Sequence, residues 1–92
     1  MAGIFYTGGT TGFPKGVMQS HSAIWASGMG SLPMFGMTRE SRYLHVAPMF
    51  HMADFAGGMG ATLSAAQNVV LKSFDPVAVM ATVAKHKLTH AL

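Results

Sequence analysis

Tyr43-Leu44-His45-Val46-Ala47-Pro48-Met49-Phe50-His51 is the stretch on which the fold turns. Its first five residues read as a strand, and Pro48 stops it, because proline has no N–H to give to a ladder. His45 inside this strand reads as a packed histidine. Asp54 is expected to begin a helix that runs through Phe55, Met59 and Leu63 to about Ala66. Gly57, Gly58, Gly60 and Ala61 make that helix small-faced, so it can lie close against a sheet or a ligand. Asn68-Val69-Val70-Leu71-Lys72 is a second, β-branched strand of the buried parallel type. Asp75 is a good helix N-cap and Pro76 is pre-organised for the first turn. Val77, Met80, Val83, Ala84 and Leu88 then fall on one helical face, and Thr89-His90-Ala91-Leu92 opens a third strand. Strand, helix, strand, helix, strand is a βαβαβ unit, which predicts an α/β fold with parallel strands. Ligands in such sheets bind beyond the C-terminal ends of the strands. That rule makes Pro48-Met49-Phe50-His51 a candidate site.

Working back from Tyr43, Arg39-Glu40-Ser41-Arg42 is the one charge cluster and reads as a solvated turn. Leu32 to Thr38 reads as a loop. Before it, Ser20 or Ser22 can cap a helix starting near Ala23 and anchored by Trp25, with Gly28, Gly30 and Pro33 weakening its far end. His21, at the junction, reads as a capping or hydrogen-bonding residue. Ile4-Phe5-Tyr6 and Gly16-Val17-Met18-Gln19-Ser20 read as two strands of an antiparallel hairpin.

Between those strands lies Thr7-Gly8-Gly9-Thr10-Thr11-Gly12-Phe13-Pro14-Lys15. Glycines without a Cβ let backbone N–H groups approach a ligand, and successive N–H groups form an anion-binding nest. Three threonine hydroxyls add donors, and Lys15 adds a point charge suited to phosphate. The stretch reads as a phosphate-cradling loop. It is not a Walker A loop, because Lys15 is followed by Gly16 and then a strand, where that motif places Ser or Thr and a helix. A flexible hairpin loop without a ligand is the competing reading of a bare glycine-rich stretch. The ordered run from Tyr6 to Val17 weighs against it.

Tyr6 to Val17 resembles the signature loop of the adenylate-forming enzymes: the acyl-CoA synthetases, the adenylation domains of peptide synthetases and the beetle luciferases. Gly8 and Thr10 look more like the acyl-CoA synthetases than the peptide synthetase domains. Pro48-Met49-Phe50-His51 resembles the family's second shared motif, and Phe74-Asp75-Pro76 resembles a third segment. The resemblance implies that Thr7, Gly8, Gly9, Thr10, Thr11, Gly12 and Lys15 hold the ATP phosphates, and that His51 lies at the acyl pocket. Lys15 and His51 are the candidate catalytic residues. It further implies ATP and Mg2+ as cofactors, CoA as co-substrate and a small carboxylic acid as substrate, in an acid–thiol ligase. The family's magnesium-binding glutamate, ribose-binding aspartate and late catalytic lysine normally follow well beyond Leu92.

Composition fits that frame. Of the 92 residues, 50% are hydrophobic and 10% charged, against about 25% charged in a typical soluble domain. The expectation is therefore a partial N-terminal adenylation domain over residues 1–92, inactive in isolation and prone to self-association through strand edges near Tyr6 and Leu92. A stand-alone phosphate-binding module without catalysis and an inert self-associating fragment are the alternatives. Net charge is +3, with Lys and Arg scattered, so no nucleic-acid surface is expected. The absence of cysteine leaves no thiolate metal site and agrees with a cytoplasmic protein. No metal site is expected from the histidines, since no acid or cysteine completes a set with His86 and His90. Pro33, four glycines and His21 break the longest uncharged run, Gly16 to Thr38, so no transmembrane segment is expected.

Overall fold

The computed structural model describes residues 1–8 and 12–92. Gly9, Thr10 and Thr11, expected in the phosphate loop, lie outside the described residues. In chain order the elements are β1 (Gly3–Tyr6), β2 (Gly16–Gln19), α1 (His21–Phe35), β3 (Arg42–His45), α2 (Met52–Leu63), β4 (Gln67–Val70), α3 (Pro76–His86) and β5 (His90–Ala91). β1 and β2 pair antiparallel, with Tyr6 opposite Gly16. β3 is the middle strand of a second sheet and pairs parallel with β4 on one side and β5 on the other. From Arg42 onward the chain is the βαβαβ unit expected of an α/β fold.

Helix starts follow local capping chemistry. The Ala23 N–H donates to Ser20 Oγ at 3.0 Å, and the Ala78 N–H donates to Asp75 Oδ2 at 2.9 Å, with Pro76 opening α3. α2 departs from expectation. It begins at Met52 with His51 as N-cap, so Asp54 lies inside the first turn, where it is fully buried. It also ends at Leu63, and the chain turns through Ala65 at φ 58° into β4.

α1 runs to Phe35, through Pro33, where a loop from Leu32 was expected. Tertiary packing overrides the weak propensity. A Cβ on Gly28 would sit 2.7 Å from Leu63 Cδ1, and one on Gly60 would sit 2.5 Å from Ser31 Oγ. Small residues thus bring α1 and α2 together, and Ser31 satisfies its hydroxyl by donating to the Gly28 carbonyl at 2.6 Å. Gly36, at φ 62°, ends the helix by donating its N–H to the Leu32 carbonyl.

The charge cluster is also more than a solvated turn. Ser41 is buried and its Oγ accepts from the Thr38 N–H, while Arg42 opens β3 and donates Nη1 to the His86 carbonyl at 2.9 Å. The Arg42 bond ties the sheet's entry to the end of α3.

Among the described residues, the buried apolar side chains are Met37, Tyr43, Leu44 and Ala61, and Met37, Tyr43 and Ala61 pack together as one cluster. The apolar face of α3 points outward, with Val77 76% and Met80 69% exposed. The Cα radius of gyration is 14.5 Å, against about 12 Å for a compact chain of this length.

Two glycine substitutions separate packing from propensity. A Cβ on Gly57 would collide with the Tyr43 hydroxyl and ring, whereas one on Gly30 meets nothing within 4 Å. Chemical denaturation should show Gly57→Ala destabilising by ~1–3 kcal/mol and Gly30→Ala stabilising by roughly 0.5–1 kcal/mol. Equal effects at the two positions would refute this account of α2 packing.

Candidate functional site

The hairpin holds the ends of the candidate phosphate loop. Its last bond runs from the Thr7 N–H to the Lys15 carbonyl at 2.9 Å, and Thr7 Oγ1 reaches the same carbonyl at a loose 3.4 Å. Thr7, Gly8, Gly12 and Lys15 are exposed. Gly12 has φ 102°, a conformation open to glycine, and a Cβ on Gly8 or Gly12 would meet no atom within 4 Å. The loop ends are therefore open, with a weakly engaged hydroxyl and an exposed ammonium, a donor set that fits phosphate oxygens. Gly16 serves the hairpin instead, since a Cβ there would lie 2.8 Å from Ile4 Cγ2 on the opposite strand.

Pro48-Met49-Phe50-His51 follows β3, as expected. His51 is exposed and caps α2, its Nδ1 accepting from the Ala53 N–H at 3.3 Å. Its backbone N–H donates to the Pro48 carbonyl at 2.8 Å, folding the motif into a tight turn. Pro48 and Met49 line a cleft of about 540 Å³ at the C-terminal ends of the parallel strands, together with Val70, Leu71, Lys72 and Phe74. One contact brings this region toward the hairpin. The Phe5 and Phe55 rings pack at 5.0 Å between centroids. Phe5 lies two residues before Thr7, and the Phe55 N–H donates to the His51 carbonyl.

Beneath the motif lies a buried polar cluster that the sequence reading missed. Tyr43 Oη donates to Asp54 Oδ1 at 3.1 Å, and His45 Nδ1 donates to Asp54 Oδ2 at 2.7 Å. His45 Nε2 meets the Asn68 carboxamide on β4 at 2.9 Å. Tyr43, His45 and Asp54 are all buried, and the two rings meet edge to face at 4.9 Å. Burial, then the Asp54 charge, then the hydrogen bond to it, raise the Tyr43 phenol well above its ordinary value of 10.0. Two signals in the sequence pointed here. Tyr43 and His45 share one face of a strand, and Asp54 is the one acid between Arg42 and Lys72. Charges in apolar surroundings are paired when buried.

His90 and His86 have packing partners: His90 Nε2 meets the Phe35 carbonyl at 2.9 Å, and the His86 carbonyl accepts from Arg42. Among the described residues no group of three His, Cys, Asp or Glu could hold a metal ion, and no helix is long and apolar enough to cross a membrane.

The candidate residues thus sit on an antiparallel hairpin and on a parallel α/β unit that follows it. The chain matches the AMP-binding enzyme family over residues 1–92 and belongs to it, among the adenylate-forming enzymes. It is 36% identical over 90 residues to 4-hydroxybutyrate–CoA ligase 2 of Metallosphaera sedula, and 33% identical over 85 residues to probable CoA ligase CCL11 of Humulus lupulus. Those alignments cover 98% and 92% of this chain but 16% and 15% of the relatives, so the chain spans about a sixth of their length. A long-chain-fatty-acid-CoA ligase (FadD1) from Archaeoglobus fulgidus superposes with a TM-score of 0.88 at 32% identity, over 96% of this chain and 18% of that one. O-succinylbenzoate coenzyme A synthetase (MenE) from Bacillus subtilis, in complex with ATP and magnesium ion, gives 0.86 at 28% identity over the same shares.

The buried phenol has a pH consequence. Above its ordinary value the unfolded chain releases the Tyr43 proton while the folded chain keeps it, so stability falls as pH rises from there. Tyr43→Phe should cost ~1.5–3 kcal/mol at neutral pH, as for hydrogen bonds to charged groups. The gap between wild type and variant should shrink from about pH 10 upward. Denaturation midpoints across that range test the slope, and a gap independent of pH would contradict it.

Proposed function

We propose that this chain is the portion of an ATP-dependent acid–CoA ligase that holds the ATP phosphates and forms one wall of the acid pocket. The Phe5–Phe55 contact carries the reading. It ties the strand leading into Thr7 to the helix that His51 caps, so the phosphate-facing and acid-facing parts hang on one support.

In this reading the Thr7 hydroxyl, the N–H groups of the glycine-rich run from Gly8 to Gly12, the hydroxyls of Thr10 and Thr11, and Lys15 bind the β- and γ-phosphates. When the acid's carboxylate attacks the α-phosphorus, negative charge builds on the phosphoryl oxygens and on the departing pyrophosphate. Fixed N–H dipoles and the Lys15 ammonium stabilise that charge as it develops. Magnesium, when bound, neutralises phosphate charge. The described residues fit phosphate but offer the ion no carboxylate set, because both Asp54 oxygens are already engaged. His51 stands at the turn beside the strand ends, where the acid and then the CoA thiol would enter. The names of the CoA ligases that the chain resembles support CoA as acceptor. The exposed face of α3 and the outer edges of β4 and β5 support burial against further protein, from the same chain or another.

Lys15→Ala in the full-length ligase should slow adenylation on the order of a hundredfold, equivalent to about 3 kcal/mol of transition-state stabilisation. The KM for the acid should stay nearly unchanged. Pyrophosphate-exchange kinetics measure both quantities. An unaltered exchange rate with a weakened KM for the acid would remove Lys15 from the phosphate site.

A further inference from the structure

We infer that Asp54 is a positioning residue for the acid-binding wall, acting through His51; this inference rests on the ligase reading above. The geometry is that of a staple. His45 is the last residue of β3, and Asp54 lies in the first turn of α2. Their 2.7 Å bond closes the segment Val46 to Ala53, which carries Pro48-Met49-Phe50-His51. The staple is anchored twice more, by Tyr43 Oη on the other carboxylate oxygen and by Asn68 on the far side of the imidazole. Among the described residues every buried side-chain polar atom has a partner, both Asp54 oxygens included.

The helix is shaped around this cluster. A Cβ on Gly58 would lie 2.7 Å from His45 Cε1, and one on Gly57 would strike Tyr43. Both glycines are needed for the strand's two rings to reach Asp54 over the helix surface. Along the chain, Asp54 is three residues from His51. The N-cap bond from Ala53 N–H to His51 Nδ1 makes the His51 ring part of the same first turn. Moving Asp54 moves that turn, and with it the imidazole. Asp54 itself is fully buried, so its effect on the reaction is relayed by His51.

The test is a double-mutant cycle in the full-length ligase, read by pyrophosphate exchange with ATP and the acid varied separately. Asp54→Asn keeps the volume but removes the charge and one of the two acceptor oxygens, so Tyr43 and His45 can no longer both donate to it. It should lower the adenylation kcat on the order of ten- to a hundredfold, since small misplacements cost this much, and leave the KM for ATP unchanged. His51→Ala should lower kcat alone, yet add little in the Asp54→Asn background, because the imidazole is already displaced. Losses that multiply in full would overturn the inference and leave the ligase reading intact. So would a loss that simply tracks melting temperature and weakens ATP as well. A silent His51→Ala beside an impaired Lys15→Ala would remove the acid-wall reading of His51, and this inference with it. If Asp54→Asn does not accumulate folded, Tyr43→Phe takes its place. That variant loosens the same carboxylate from its other side and should show the same non-additivity with His51→Ala.

Discussion

A carboxylate that no water reaches must find its donors within the protein, and Asp54 finds them on the face of β3. The apolar core is slight, with Met37, Tyr43, Leu44 and Ala61 its buried members among the described residues. Leaving a buried polar group without its partner costs roughly 1–3 kcal/mol, more for a charged one, a large share of the ~5–15 kcal/mol that holds a whole domain together. Hydrophobic burial presses α2 onto the sheet without choosing its axial position. The bonds from Tyr43 and His45 choose it, and Asn68 extends the choice to β4. Satisfying one buried charge thus aligns three elements.

Much of this architecture was legible because it rests on short-range chemistry. Asp75 followed by Pro76 started α3 where capping rules place it, and the alternation of strands and helices after Tyr43 announced parallel pairing. Legibility fell where partners are distant in sequence. Pro33 seemed to end α1 early, but the meeting of Gly28 with Leu63 and of Ser31 with Gly60 involves residues on two helices, and no window of sequence contains both. His45 was correctly expected to be buried, yet its partners lie nine and 23 residues away. Asp54 looked like the start of a helix because acids favour helix N-termini. Its position in the first turn agrees with that preference, but the turn begins earlier and a histidine caps it.

The phosphate-binding candidates and the acid-facing candidate were separate motifs in the sequence, and separate they remain in their immediate bonding. Lys15 and Thr7 close a two-stranded hairpin, whereas His51 closes a turn at the mouth of a three-stranded sheet. α2 is the common support: its first turn meets the hairpin through Phe55, the sheet through Asp54, and the motif through its cap.

The two adjoining glycines of α2 have a mechanical meaning. Gly57 and Gly58 lie about 100° apart around the helix, and each receives a ring from the strand below, Tyr43 in one notch and His45 in the other. A Cβ at either position would meet a ring, so turning the helix to bring a larger side chain there would bring it against Tyr43 or His45. α2 is keyed like a shaft in its slot: the two notches resist rotation, and the bonds to Asp54 pin it along its length.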